Sequence, residues 1–289
     1  MRPTLLVAVL LVAVACTEAD IAAPSSTATA RPSPTASLPP DPFALAAGRD
    51  APDPRELARR VRAVEQKIND GLPVSSEDAH TQQAAYRQLV RTPEWREPAY
   101  AALAGPLAQI ARANVEAGAE LRLLTPPRTE LPPWTIVAPP PARELLSHYR
   151  AAEREFGIHW TYFAAIHLVE TRMGRIRGDS VAGAKGPMQF LPSTWRAYGE
   201  GDINDPGDAI RAAARYLRAH GAPDNMERAL YAYNHSDHYV RAIELYADRM
   251  RDTERAYDAY YGWEVYYRTT GGDALLYVGW SNARPVPSG

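Results

Sequence analysis

Residues 166–195, IHLVETRMGRIRGDSVAGAKGPMQFLPSTW, decide the fold and carry the chemistry. They begin inside a run that is apolar nearly all round. From Trp160 to Val169 only Thr161 and His167 are clearly polar, with one hydroxyl on Tyr162. A helix without a polar face is predicted to be buried. Gly174 is its predicted stop. Glu170 then falls in the last turn of a buried helix, where desolvation and the negative end of the helix dipole both disfavour its anion. A carboxyl that keeps its proton toward neutral pH suits general acid catalysis, so Glu170 is the candidate catalytic residue.

Helical patterning extends to both sides. Leu145, Leu146 and Tyr149 form a stripe that Gly157 ends; Pro192 with Ser193 and Thr194 opens a short helix. Asp205 and Pro206 read as N-cap and first turn of a helix stopped by Gly221 and Pro223, and residues 226–233 and 237–250 complete the set. No segment here alternates with period two, so residues 142–250 read as an all-α domain. In the 251–289 tail, residues 264–268 and 274–278 flank a Thr-Thr-Gly-Gly-Asp turn and predict a β-hairpin. The tail aromatics Tyr257, Tyr260, Tyr261, Trp263, Tyr266 and Tyr267 are expected to pack that hairpin onto its neighbour, with sugar stacking the alternative.

Toward the N-terminus, residues 125–141, TPPRTELPPWTIVAPPP, read as a proline-rich connector and domain boundary, with Trp134 packing on the neighbouring domain. Residues 43–124 read as a small helical region. Leu57, Val61, Val64 and Ile68 make one stripe, Gly71 and Pro73 break it, Ser75 and Ser76 cap a second helix, and Pro98 enters a third that runs to about residue 124. Its alternating acids and bases suggest packing or spacing rather than chemistry. The expected fold class is mainly α.

Residues 17–42 are almost wholly Ala, Pro, Ser and Thr, too poor in apolar surface to offset ordering entropy, and read as a disordered tether. Before them, Arg2 and the apolar run 5–15 have the length of a secretory h-region, too short to span a bilayer. Cys16, the only cysteine, follows small residues directly and resembles a bacterial lipobox, although Ala13 stands where Leu is usual. Residues 1–16 are therefore read as a lipoprotein signal with Cys16 lipidated. That would leave the protein exported and anchored to the outer face of the bacterial cytoplasmic membrane, facing the cell wall; plain secretion is the alternative. A lone cysteine leaves the core to stabilise the fold without disulfides. The net charge of -2, with no basic block, sets nucleic-acid binding aside.

The ordered set VETRMG, SVAGAKGPMQFLPSTW, DPGDAIRAAARYL and AYNHSDHYV resembles the lytic transglycosylases, most of all the membrane-bound type B branch and its actinobacterial relatives. The resemblance covers roughly residues 142–247 and implies a goose-lysozyme-like (SLT) α-helical catalytic domain acting on peptidoglycan glycan strands. It implies that Glu170 is the sole catalytic carboxylate, that Ser180 bonds near the muramoyl N-acetyl group, and that Met188, Gln189 and Phe190 of GPMQF with Tyr233 and Asn234 of AYN line the cleft. It further implies a substrate-assisted reaction ending in a 1,6-anhydromuramoyl product, outside the two-carboxylate rule, with no cofactor.

The residues keep plainer readings beside these roles: Glu170 paired with Arg172 or Arg175, Ser180 in a turn, Gln189 bonded to backbone, Tyr233 in the core, Asn234 as a helix C-cap, and His167 as a satisfied core histidine. Type B enzymes carry a long insertion after the acid motif. Here only residues 175–179 separate Gly174 from Ser180, so a more open cleft is expected. The segment at residues 199–205 lacks upstream oxygen ligands where some relatives hold calcium, so no metal is expected and its acids are read as helix caps. Two other functions stay open, a goose-type lysozyme-like hydrolase and a non-catalytic peptidoglycan-binding lipoprotein.

Overall fold

Asp41 accepts a hydrogen bond from the Phe43 amide and Pro42 follows it, so the first helix α1 (Pro42–Ala47) starts where the tether was expected to end. The computed structural model describes residues 39–282. Cys16, the signal segment and most of the 17–42 stretch lie outside the described residues. Asp53 and Pro54 open α2 (Pro54–Asn69), whose Leu57, Val61, Val64 and Ile68 stripe is buried as its spacing predicts. Ser75 and Asp78 form a reciprocal capping box on α3 (Ser76–Arg91). The third predicted helix is two, α4 (Arg96–Leu103) and α5 (Gly105–Leu124). Ala104 and Gly105 both take positive φ, 57° and 51°, and Pro106 has no amide to continue the ladder.

The proline-rich segment is not a loose boundary. Its β1 (Thr135–Ile136) pairs antiparallel with β2 (Ile176–Arg177). Arg128 bridges Thr269, and the Ile136 amide donates to the Trp280 carbonyl at 2.9 Å. Ile136 joins Val265, Ala274, Leu276 and Trp280 in a small second core beneath it. Residues from Pro40 onward consequently form one unit, where separate regions were read from composition.

The remaining helices are α6 (Ala142–Phe156), ended by left-handed Gly157, α7 (Trp160–Thr171), α8 (Pro192–Tyr198), α9 (Pro206–Ala219), capped by Asp205, α10 (Met226–Tyr233), α11 (Asp237–Asp252) and α12 (Arg255–Tyr261). The hairpin β3 (Val265–Thr269) and β4 (Gly272–Leu276) pairs from Val265–Leu276 to Thr269–Gly272. The Thr269 hydroxyl donates to the Gly272 carbonyl and accepts from the Gly271 amide, so the turn is tighter than the five residues allotted to it. Among the described residues no helix is long and apolar enough to cross a membrane.

Helix α11 is central, packed by α5 on one side and α7 on another, which is why its Tyr239, Ile243, Tyr246 and Ala247 are all buried. One buried ion pair fixes it: Arg249 Nη2 lies 2.9 Å from Glu65 Oε2 on α2. Glu65 is fully buried, and its other oxygen accepts from Gln82 at 2.7 Å and Tyr86 at 2.5 Å. Removing one partner of a buried pair strands the other charge. Arg249→Ala should therefore lower unfolding free energy by about 3–5 kcal/mol. Adding Glu65→Gln should recover part of that loss, because the amide still accepts from Tyr86 without a charge; equilibrium denaturation of the three variants checks both.

Candidate active site

Glu170 sits in the last turn of α7, and α11 crosses α7 so that the Tyr239 hydroxyl donates to Glu170 Oε1 at 2.8 Å. No Lys or Arg is paired with Glu170 among the described residues. The two candidates turn away: Arg172 donates to the Leu168 carbonyl at 2.7 Å, and Arg175 to the Arg172 carbonyl at 3.1 Å with its guanidinium over Tyr261. The carboxyl is surrounded by protein yet keeps an accessible face. Desolvation pushes its pKa up from 4.5 to about 7, opposed by the Tyr239 hydrogen bond. His167, one turn earlier, is fully buried with Nδ1 2.7 Å from the Tyr149 hydroxyl, and burial holds it neutral with a pKa of about 3. It is a core histidine.

Gly174 does not end α7 by itself. Arg172 and Met173 precede it with φ of 53° and 60°, making three left-handed residues in a row with Gly174 at 83°. The Met173 amide reaches back to the His167 carbonyl and the Arg172 amide to Leu168, satisfying the last turn. Thr171 clamps this turn, its hydroxyl donating to the Pro187 carbonyl at 2.7 Å and accepting from the Gly174 amide.

That clamp joins the acid to the GPMQF turn. Lys185 and Phe190 exchange both backbone bonds, and Gly186 is obligatory, since a Cβ there would lie 2.1 Å from the Ile203 carbonyl oxygen. Tyr233 donates to the Met188 carbonyl at 2.7 Å, and its ring lies parallel to that of Tyr239 at 6.3 Å. Met188 is fully buried and Phe190 nearly so, packed on Trp195 and Tyr233. Neither side chain is among those lining the groove of Glu170, on whose surface both were expected. Gln189, at φ 51°, donates to the Gly186 carbonyl at 3.0 Å, so its amide braces the turn. Ser180 faces the groove of Glu170, and its hydroxyl accepts from the Ala184 amide at 3.0 Å. Asn234 is the exposed C-cap of α10 and does not line that groove.

The groove, about 400 Å³, is walled on its other side by residues where no chemistry was expected. Gln83, Tyr86 and Arg87 of α3 and Leu121 and Arg122 of α5 line it, as do Trp134, Trp263, Tyr266 and Tyr267. The short 175–179 turn therefore does not leave it open: the N-terminal helices and the hairpin occupy that side. Trp134 stands edge-on to Tyr267 at 5.4 Å and over Gly178, where a Cβ would come within 2.5 Å of its ring. The tail aromatics divide. Tyr257 and Tyr260 are core, whereas Trp263, Tyr266 and Tyr267 reach the groove. Tyr239 was not singled out from the sequence, although it lies within the AYNHSDHYV motif; the crossing of α11 over α7 is what brings it to Glu170. Among the described residues no cluster of His, Cys, Asp and Glu is arranged to hold a metal, and Asp205 and Asp208 cap α9 and its loop.

Residues 147–254 match the family model described as "Transglycosylase SLT domain". A stretch of 94 residues is 35% identical to the "Membrane-bound lytic murein transglycosylase F" of Alcanivorax borkumensis, covering 30% of this chain and 20% of that protein. The chain thus spans about a fifth of that relative's length. No solved structure matches the chain.

The raised pKa has a stability consequence with a definite sign. The fold holds the Glu170 proton to about pH 7, whereas the unfolded chain releases it near pH 4.5. Stability from this group is complete below pH 4.5 and is lost as pH rises through 7, a difference of up to about 3 kcal/mol. Glu170→Gln should accordingly stabilise the protein at pH 8 and change it little at pH 4.5, measured as the difference from wild type in denaturant unfolding at each pH. Tyr239→Phe removes the one bond favouring the carboxylate and should move the Glu170 titration about one pH unit upward, which NMR of a labelled Glu170 side chain reads directly.

Proposed function

We propose that this protein is a peptidoglycan lytic transglycosylase that uses Glu170 as its only catalytic carboxylate. The observation carrying this reading is that Glu170 is the sole carboxylate lining the groove among the described residues, desolvated and free of a cationic partner, within a transglycosylase SLT domain. Asp179, the nearest acid in the following turn, is exposed and engaged by Lys185. A glycosidase that activates water or forms a glycosyl-enzyme places a second carboxyl across the scissile bond. With none there, the substrate supplies the second group. The protonated Glu170 gives its proton to the oxygen joining N-acetylmuramic acid to N-acetylglucosamine, and the C1–O bond breaks. The C6 hydroxyl of the muramic acid then closes on C1 and returns its proton to the Glu170 carboxylate. The products are a 1,6-anhydromuramoyl end and a free 4-hydroxyl, with no water consumed.

Tyr239 positions the acid and steadies its anion between the two proton transfers, while the parallel Tyr233 holds the GPMQF turn that forms the opposite rim. Ser180 faces the groove where an N-acetyl group would pass, and Gln189 braces the turn beside it. Export and lipidation at Cys16 would place the groove on the cell-wall side of the membrane, at the end of the 17–42 tether. The apolar run ending at Cys16 supports that location.

Purified protein incubated with isolated peptidoglycan should release fragments with 1,6-anhydro ends by mass spectrometry, and Glu170→Gln should cut the rate roughly 100- to 10,000-fold. Reducing muramic acid ends would instead assign a hydrolase. Activity should fall as pH rises through about 7, where the general acid loses its proton, and in Tyr239→Phe that fall should come at higher pH.

A further inference from the structure

Five arginines line the groove beside Glu170: Arg87, Arg122, Arg128, Arg172 and Arg268. Their charges are poorly compensated. Arg87 and Arg122 share one acid, Asp273, at 2.7 and 3.7 Å. Among the described residues the Arg268 side chain donates only to the Arg122 and Thr125 carbonyls, and that of Arg172 only to the Leu168 carbonyl. Arg128 has no side-chain partner among the described residues and is exposed at the groove's edge. Two further polar atoms of this wall, the Tyr266 hydroxyl and Arg87 Nε, are buried without a hydrogen-bond partner. Burial chiefly, with a smaller push from Arg87 and Arg175, pulls the Arg172 pKa down to about 10. With Glu170 protonated near neutrality, the groove presents three guanidinium groups with no matching carboxylate, beside a wall of aromatic rings. A groove of one sign with low-dielectric walls concentrates ligands of the other sign, and guanidinium forks match carboxylates in shape.

We propose that this arginine wall binds carboxylates of the peptide stems borne by muramic acid, so that the protein selects peptide-bearing glycan strands over bare ones. The inference rests on the glycan-cleaving reading above. It deepens that reading with residues the domain itself does not supply, because Arg87, Arg122, Arg128 and Arg268 all lie outside residues 147–254. The helices α3 and α5, the connector and the hairpin thereby become the specificity wall of the site. A strand stripped of its stems keeps only the lactyl carboxylate on each muramic acid, held close to the sugar ring, and lacks the carboxylates that a stem carries outward to the wall. Wall polymers carrying phosphate present the same sign of charge and are the competing source of anion.

Binding is measured on the full chain with Glu170→Gln, so that the outcome does not depend on turnover. The probes are glycan strands of one length, either bearing their peptide stems or stripped of them by an amidase, with phosphate-bearing wall polymer as a third. Peptide-bearing strands should bind at least about tenfold tighter than stripped ones, the worth of one charge-assisted contact, and the preference should shrink as salt rises from about 0.05 to about 0.5 M, which shortens the Debye length roughly threefold. Arg128→Glu, at a residue whose structural bonds are made by its backbone and whose side chain is exposed, should bring the ratio to about one, and Arg128→Lys should keep most of it. Arg154→Glu, exposed on α6 away from the groove, makes the same charge change and should leave the ratio intact. Equal binding of stemmed and stripped strands, a preference unmoved by Arg128→Glu, or tighter binding of the phosphate polymer would each overturn the proposal. Anhydro ends released from stripped strands by the wild type would still uphold the cleavage reading in any of those cases, whereas their absence from both strands would overturn that reading while the binding ratio stands.

Discussion

The buried pair between Arg249 and Glu65 ties the last turns of α11 to α2, and the position of α11 sets the site. Ten residues before Arg249, the same helix delivers Tyr239 to Glu170. A rigid helix 16 residues long transmits its anchoring from one end to the other. Because α5 also packs along α11, the N-terminal helices and the SLT domain share one core, and the groove they enclose is part of that core's edge. Burying an ion pair costs solvation at both groups, which Gln82, Tyr86 and Asn69 offset in part, while Arg249 Nε stays buried without a hydrogen-bond partner.

A second constraint acts on the backbone. Two non-glycine residues in the left-handed region, Arg172 and Met173, cost on the order of 1 kcal/mol or more each, and only Thr171 separates them from the acid. They turn the chain sharply enough for Thr171 to reach Pro187, so that the acid and the GPMQF turn are held by one hydroxyl. Met173 is buried with the Tyr149 hydroxyl against its sulfur, and that packing holds the strained turn in place.

Much of this was legible in the chain itself. The all-round apolar helix, the Gly157 and Asp205 boundaries, the hairpin and the desolvated acid follow from periodicity, caps and burial, which are local properties. Tyr239 was not legible, since a tyrosine on the inner face of an amphipathic helix reads the same whether it meets Leu or Glu. The groove's far wall was missed for a related reason. Arg122 follows Glu116 and Glu120 and Arg87 stands among polar residues of α3, so both resemble a solvated face, yet Asp273 of the hairpin, distant in sequence, draws them inward. The split of α4 from α5 had a visible signal in Ala-Gly-Pro at 104–106, which the strong helical pattern around it outweighed.

The charges in the groove meet two demands that conflict at short range. A general acid near an arginine would be held ionised and could not donate its proton, because an opposite charge within a few ångströms lowers a carboxyl pKa by one to three units. Glu170 escapes this although Arg172 is two residues away. The left-handed turn swings Arg172 back onto the Leu168 carbonyl, and what acts on the acid is burial and one tyrosine hydroxyl rather than any guanidinium. The arginines are thereby kept in the groove but off the acid. A straight helical continuation through residue 172 would give neither result, so the backbone strain after Glu170 lets one groove hold a protonated carboxyl and an anion-attracting wall together.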